Sequence, residues 1–167
     1  MCGITGFVAG PKSEKKFIRE DLLRIMSKTL NHRGPDDSGT WFESNAGVGL
    51  AHQRLSIIDT SIAGRQPMRS SAGRYRIIFN GEAYNHVEIR QEINSIRNVK
   101  WRSNSDTETL LEAFETWGIT KAVKKIVGMF SIAVWDQHEK SLNLIRDRMG
   151  EKPLYYGWQK NVFLFGS

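Results

Sequence analysis

The chain begins Met1-Cys2-Gly3-Ile4-Thr5-Gly6-Phe7-Val8, and this stretch decides how the first strand enters the fold. Residues 4–8 form a short, apolar run flanked by glycine, which predicts a buried strand that starts directly after Cys2. A strand at this position ties the chain end into a sheet. We therefore expect Cys2 to be held at the end of a sheet strand.

Cys2 is the only cysteine of the chain, and its position gives it a second reactive group. If Met1 is removed, as a small second residue permits, Cys2 carries a thiol and a free α-amine. The thiolate is the reactive form of cysteine, and a nearby base helps to form it. An α-amine titrates at about 7.7–8.0, where a general base is most useful. The alternative is an incidental thiol on a frayed chain end, and the other residues must decide between the two.

Length and composition indicate one soluble globular domain. The chain has 167 residues, of which 40% are hydrophobic and 25% charged. A single cysteine excludes an internal disulfide and a multi-cysteine zinc site, and it favours a reducing compartment, so we expect a cytoplasmic protein. The net charge is +6, but the basic runs at 12–16 and 121–125 are short, and we expect no nucleic-acid partner. No stretch is long enough for a membrane span, and residues 4–8 do not form a signal peptide.

The order of predicted elements indicates an α+β protein whose antiparallel sheets are covered by helices. Predicted strands cover residues 4–8, 47–52, 74–79, 129–135, 141–146, 154–158 and 162–165, and predicted helices cover 18–30, 85–96, 105–117 and 121–126. Residues 31–39 read as a polar loop. Because the chain stops inside a predicted strand, we expect one domain over residues 1–167 that is truncated before its last elements.

Two capping signals support the middle helices. Asn85 with Glu88, and Ser105 with Glu108, have the spacing of a capping box. The first of these helices is predicted to bury an apolar face. That face contains Val87, Ile89, Ile93 and Ile96.

Three sites could carry chemistry, and each also has an ordinary structural explanation. Asn80-Gly81 offers a side-chain amide and an unhindered backbone N–H, the two donors of an oxyanion hole, but it is equally an Asn-Gly turn. Arg54 could bind a carboxylate through two hydrogen bonds, or simply be solvated. Asp106 lies in the first turn of a predicted helix, where the helix dipole alone favours a carboxylate.

Two other site classes have no support in the sequence. The four histidines are scattered and lack the close spacing of a metal site, so we expect no bound metal. No Gly-x-Ser-x-Gly motif occurs, so a Ser-His-Asp hydrolase is unsupported.

Taken in order, motifs along the whole chain resemble one family. The motifs are Met1-Cys2-Gly3-Ile4, His32-Arg33-Gly34-Pro35-Asp36, Ala51-His52-Gln53-Arg54-Leu55-Ser56-Ile57-Ile58-Asp59, Gln66-Pro67-Met68, Asn80-Gly81-Glu82, Tyr84-Asn85, Ser105-Asp106, Gly128-Met129-Phe130, Arg146-Asp147-Arg148 and Lys152-Pro153-Leu154-Tyr155-Tyr156. They resemble the class II glutamine amidotransferase domain of glutamine-dependent asparagine synthetases. Ala83 stands where this family more often has isoleucine, and Gly166 where it has alanine; neither difference removes a catalytic atom.

The resemblance implies a fold and a reaction. The fold is the four-layer αββα arrangement of N-terminal nucleophile hydrolases, with two antiparallel sheets between helical layers. Cys2 would attack the side-chain amide carbon of glutamine, its own α-amine would relay the proton, and water would hydrolyse the thioester to glutamate and ammonia. Asn80 and the N–H of Gly81 would hold the oxyanion.

The resemblance also implies how substrate is bound. Arg54 would bind the α-carboxylate of glutamine, and Asp106 and Glu82 its α-ammonium. The run 32–36 is expected to shape a loop near the nucleophile rather than to contact substrate. The remaining pocket residues implied are Leu55, Ser56, Ile57 and Ile58.

Cofactor and partner expectations follow from the same resemblance. This domain would need no cofactor, while ATP and Mg²⁺ would belong to a covalently linked synthetase domain whose ATP-pyrophosphatase motif is absent from this chain. Ammonia would pass to that domain for asparagine synthesis from aspartate, and a homodimer stays open.

Three alternatives also stay open. One is an amidotransferase of a surface-polysaccharide pathway with another acceptor. A second uses a sugar-phosphate or phosphoribosyl acceptor, but these enzymes lack the His-Arg-Gly-Pro-Asp run. The third is a non-catalytic binding or regulatory domain, disfavoured because the proposed catalytic and binding residues are intact. Those residues are Cys2, Arg54, Asn80, Gly81 and Asp106.

Overall fold

A computed structural model describes residues 2–10, 13, 19–55 and 61–167 of the chain. These residues form nine β-strands, four α-helices and two short 3-10 helices. The strands are β1 (Gly3–Ala9), β2 (Asp37–Glu43), β3 (Val48–Arg54), β4 (Met68–Arg69), β5 (Tyr75–Ala83), β6 (Gly128–Asp136), β7 (Ser141–Arg146), β8 (Tyr155–Gln159) and β9 (Val162–Gly166). The helices are α1 (Glu20–Lys28), α2 (His86–Ile96), α3 (Asp106–Trp117) and α4 (Ile119–Lys125), and the 3-10 helices are Asn31–Arg33 and Ile62–Gly64.

The strands make two antiparallel sheets. The first has the order β2-β3-β1-β9-β8, and the second β4-β5-β6-β7. β1 lies in the middle of the first sheet, with Gly3 opposite Gln53 of β3 and Thr5 opposite Gly166 of β9. The chain end is therefore tied into a sheet from both sides, as the sequence predicts.

Apolar side chains between the sheets and outside them build four layers. Ile4, Leu50, Ile78 and Phe165 pack in the space between the two sheets. Leu23 of α1 packs on the outer face of the first sheet against Phe7 and Ala51. The outer face of the second sheet packs against α2, α3 and α4. Residues of that core include Ile77, Phe79, Ile89, Leu110, Leu111, Phe114 and Ala122.

This arrangement confirms the predicted αββα class and corrects several details. Residues 37–43, assigned in part to a loop, form strand β2, which pairs with β3 along its whole length. β5 continues through Asn80 and Gly81 to Ala83, so the Asn-Gly turn considered above is excluded. The helix predicted over residues 18–30 is described over Glu20–Lys28, and residue 18 lies outside the described residues.

Both predicted capping boxes are wrong in detail. Asn85 precedes α2 but makes no cap bond; its side chain donates to the Lys125 carbonyl (2.9 Å) and accepts from the Val127 N–H (2.9 Å). Ser105 does cap α3, whereas the Glu108 carboxylate accepts from loop N–H groups before the helix. The Asn85 and Glu108 side chains therefore form hydrogen bonds to neighbouring segments instead of the reciprocal bonds of a capping box.

The apolar face predicted for α2 is only half correct. Ile89 and Ile93 are buried, while Val87 and Ile96 are more than half exposed. Only one narrow stripe of α2 therefore faces the second sheet.

Within the described part of the chain, no helix is long and apolar enough to cross a membrane. The same residues hold no group of three or more His, Cys, Asp or Glu side chains placed to bind a metal ion.

Candidate active site

The predicted site residues that the structure describes lie at one end of the space between the sheets. Side chains along a strand alternate between its two faces. Ile4, Leu50 and Ile78 point into this space. Two residues along from each, and on the same face, stand Cys2, His52 and Asn80. Arg54 continues this face of β3, so the two sheets contribute opposite walls of one site.

Cys2 is partly buried and lies against Leu55, the first residue after β3. The Leu55 N–H donates to the Cys2 sulfur at 3.4 Å, and the Leu55 carbonyl lies 3.5 Å from the same atom. This N–H is a hydrogen-bond donor, and a thiolate at Cys2 would accept from it. The sulfur is thus held beside β3 by two main-chain groups.

Arg54 ends β3 and is 7% exposed. Its Nη1 donates to the Ser61 carbonyl at 2.9 Å, and its own carbonyl accepts from the Asp36 N–H at 3.0 Å. Gly34 packs so closely on this segment that a Cβ there would lie 2.5 Å from the Arg54 carbonyl carbon. The 32–36 run therefore supports the backbone of β3 where it carries Arg54.

Asn80 is almost completely buried inside β5, with 1% of its surface exposed. Its Nδ2 donates to Ser167 Oγ at 2.8 Å, and Ser131 Oγ donates to the same hydroxyl at 2.9 Å. The Ser167 N–H in turn donates to the Ile4 carbonyl at 2.9 Å. Asn80 of the second sheet is thereby linked to β1 of the first, two residues from Cys2.

The N–H of Gly81 points away from the β6 ladder. Phe130 of β6 lies opposite Gly81. The N–H and the carbonyl of Phe130 both bond to Asp147, on the side of β6 that faces away from β5. In an antiparallel pair such a residue faces its partner without exchanging hydrogen bonds, so the Gly81 N–H lies along the other edge of β5. On that edge the N–H groups of Phe79 and Ala83 bond to side chains. Gly81 thus places a main-chain donor next to the Asn80 amide.

Asp106 is the first residue of α3 and is 5% exposed. Its Oδ2 accepts from the Ala83 N–H at 3.0 Å, which places it beside the end of β5. Burial raises the pKa of the Asp106 carboxyl; the Ala83 N–H and nearby His86 oppose that rise, and the charge of Glu82 adds to it. A cationic partner stabilises the ionised form of such a buried carboxyl. Glu82 is half-buried close by.

His52 joins the two sheets and was not assigned to the site from sequence. Its Nε2 lies 3.2 Å from the Phe79 carbonyl of β5. Burial lowers the pKa of His52 to about 4, so the ring is neutral at pH 7, and Nε2 must carry the proton that it donates.

The sequence also missed Ser131 and Ser167. All three residues act through contacts between strands that are distant in the sequence, and no local pattern signals such contacts. The remaining predicted pocket residues, Ser56, Ile57 and Ile58, lie outside the described residues.

Known proteins with similar sequences match the whole length of the chain. The whole chain, residues 1–167, matches the family described as "Glutamine amidotransferase domain". It is 40% identical over 170 residues to asparagine synthetase [glutamine-hydrolyzing] 3 of Bacillus subtilis (strain 168), covering all of this chain and 26% of that protein. It is 33% identical over 174 residues to amidase chry2 of Gibberella zeae, again covering all of this chain and 26% of the relative. The chain therefore spans about a quarter of the length of these relatives.

The fold has a solved counterpart. Glutamine phosphoribosylpyrophosphate amidotransferase from B. subtilis superposes with a TM-score of 0.73 over 99% of this chain and 41% of its own, at 18% identity. That likeness establishes the N-terminal nucleophile hydrolase fold. Because the family match extends over its whole length, the chain belongs to the glutamine amidotransferase domain family.

Proposed function

We propose that this domain hydrolyses glutamine to glutamate and ammonia through a thioester on Cys2. The observation that supports the proposal is that the Cys2 sulfur lies on one sheet and two amide donors, Asn80 and Gly81, lie on the sheet that faces it. After removal of Met1, the α-amine of Cys2 takes the thiol proton. The sulfur then attacks the side-chain amide carbon of glutamine.

The tetrahedral intermediate would place a negative oxygen near Asn80 and Gly81. The second hydrogen of Asn80 Nδ2 and the main-chain N–H of Gly81 are the two donors for it. Such donors stabilise charge that develops only in the transition state, and losing one costs about 10²–10³ in rate. Collapse of the intermediate breaks the C–N bond, and the α-ammonium returns its proton to the leaving ammonia. Water then attacks the thioester, giving glutamate and free Cys2.

Substrate recognition would use both charges of the free amino acid. Arg54 at the end of β3 binds the α-carboxylate, and Asp106 with Glu82 at the end of β5 binds the α-ammonium. Opposite charges on opposite walls orient glutamine along the site and bring its amide to Cys2. Substrate contacts of Ser56, Ile57 and Ile58, which lie outside the described residues, stay predictions, as does the contribution of the Leu55 backbone.

The fate of the ammonia is proposed from the relatives. Because the chain spans 26% of a glutamine-hydrolysing asparagine synthetase, we propose that it works with a covalently linked synthetase domain that makes asparagine from aspartate in the cytoplasm. ATP and Mg²⁺ would be needed there, and the reaction on Cys2 needs no cofactor. A different acceptor is the second candidate, since one relative is named an amidase.

Release of glutamate from glutamine by the purified chain tests the proposal. Cys2→Ala should abolish activity, and a glutamine-like electrophile should label the wild-type chain at one site only. A form in which removal of Met1 is blocked should fold but not turn over, because its α-amine is no longer on Cys2. Substantial glutamate release by Cys2→Ala would rule out the thioester mechanism.

A further inference from the structure

Ser167 lies at the point where the two walls of the site meet. It follows β9 directly and is 7% exposed. Its main chain bonds to Ile4 of β1, and its hydroxyl receives hydrogen bonds from Asn80 of β5 and Ser131 of β6. Ser167 therefore connects β1, which follows the nucleophile, with β5, which carries the oxyanion donor Asn80, and with the neighbouring β6.

The amide of Asn80 needs such a connection to act as a donor. A carboxamide rotates readily about its last torsion, and only its NH₂ end can stabilise an oxyanion. A hydrogen bond from Nδ2 to Ser167 Oγ at 2.8 Å fixes the plane of the amide and uses one of its two N–H bonds. The other N–H is left for substrate.

The Ser131 hydroxyl completes this arrangement. By donating to Ser167 at 2.9 Å, it occupies a second lone pair of the Ser167 oxygen and holds that hydroxyl in place. Ser131 is fully buried, and its backbone faces Asn80 across the β5–β6 ladder. The orientation of Asn80 is thus set by a chain of two hydroxyls rather than by packing alone.

We propose that Ser167 is a positioning residue for glutamine hydrolysis, holding the Asn80 amide in its donor orientation at a set distance from Cys2. This inference rests on the proposed function, because it assigns Ser167 a role through Asn80. It adds a residue that contacts neither the nucleophile nor, in this proposal, the substrate.

The effect of Ser167 should appear in kcat. We expect Ser167→Ala to lower kcat by about tenfold, since it removes the neutral hydrogen bond that holds the Asn80 amide, with KM changed less than twofold because Arg54 and Asp106 are untouched. Asn80→Ala should lower kcat by about 10²–10³. The double variant should be no slower than Asn80→Ala, because Ser167 has nothing left to position.

A matched control is available in Ser70. It is also buried, at 3% exposure, and its hydroxyl accepts from the Tyr75 N–H at the opposite end of β5. Ser70→Ala should lose stability while its kcat stays within twofold of wild type. If Ser167→Ala does not fold, Ser131→Ala replaces it in the same cycle, with a smaller drop in kcat expected.

The outcomes separate the two proposals. An active Cys2→Ala or a fully active Asn80→Ala would overturn the proposed function. If those variants are inactive or slowed as expected but the loss from Ser167→Ala multiplies with that from Asn80→Ala, or falls on KM alone, Ser167 is structural and only the positioning role is overturned.

Discussion

Asp106→Asn distinguishes the effect of the buried Asp106 carboxylate on protein stability from its proposed role in binding substrate. The substitution keeps the shape of the side chain and an oxygen that can accept from the Ala83 N–H, now 3.0 Å from Oδ2. What it removes is the charge proposed to bind the α-ammonium of glutamine. Removing one partner of a buried ion pair costs about 3–5 kcal/mol, which corresponds to roughly 10²- to 10⁴-fold in kcat/KM. The loss should fall mainly on KM, because the ammonium is bound before and during the reaction alike.

Stability should move in the opposite direction. The pKa of Asp106 is raised by burial, so its contribution to stability is fully present below the pKa of the unfolded chain, and it is lost as the pH rises through the folded-state value. Wherever the carboxyl is ionised, the wild-type protein therefore carries a buried charge that Asp106→Asn lacks. The variant should unfold at an equal or higher temperature at pH 7, and this difference should shrink as the pH is lowered toward about 4.

Glu112→Gln is the matched control on the same helix. Glu112 is fully buried but already paired, with Arg97 at 2.5 Å and with the Ser71 hydroxyl at 2.8 Å. Its loss should lower the free energy of unfolding by about 1.5–3 kcal/mol while KM is unchanged. Glutaminase kinetics and thermal unfolding of both variants check the pair. A less stable Asp106→Asn with normal KM would refute the reasoning.

Three further changes test the supports of the site. Gly81→Ala should reduce both activity and stability, because a Cβ would lie 2.6 Å from the Phe130 Cα and force β5 and β6 apart; kinetics with thermal unfolding would show it, and a fully active variant would contradict it. Gly34→Ala should raise KM more than it lowers kcat, since the clash falls on the backbone of Arg54; an unchanged KM would mean that this loop does not support substrate binding. Asn85→Ala should lower the free energy of unfolding by about 1–3 kcal/mol in chemical denaturation while kcat is retained, because it breaks two hydrogen bonds to the segment after α4; a selective loss of activity would argue against a purely structural role.

Regular elements were the most predictable part of the molecule. The strand predicted over residues 141–146 has the bounds of β7, because its alternating pattern is bordered by turn residues on both sides. β2 escaped prediction because Asp37 and Gly39 read as turn formers, and its residues are only partly buried. The Asn80-Gly81 pair resembles a turn because both residues are turn formers. Cross-strand pairing overrides these local preferences, and pairing cannot be read from a window of sequence.

The site was predictable only through resemblance. Asp106 and Arg54 each have an ordinary explanation when considered alone, and their common location depends on the strand order of both sheets. His52 and Ser167 were overlooked because their roles are contacts between sheets. Such contacts depend on how the two sheets pack against each other, and a local stretch of sequence does not indicate that packing.

Hydrogen bonds at His52 and at Ser167 link the two sheets, and this has a consequence for partly denatured forms of the protein. One sheet holds the sulfur and the other holds the amide donors, so a compact state with intact strands but loosened side-chain packing would contain every catalytic group and align none of them. In a denaturant series, turnover should therefore disappear before the far-UV circular dichroism signal changes. Activity would then serve as a reporter of how firmly the two layers are docked.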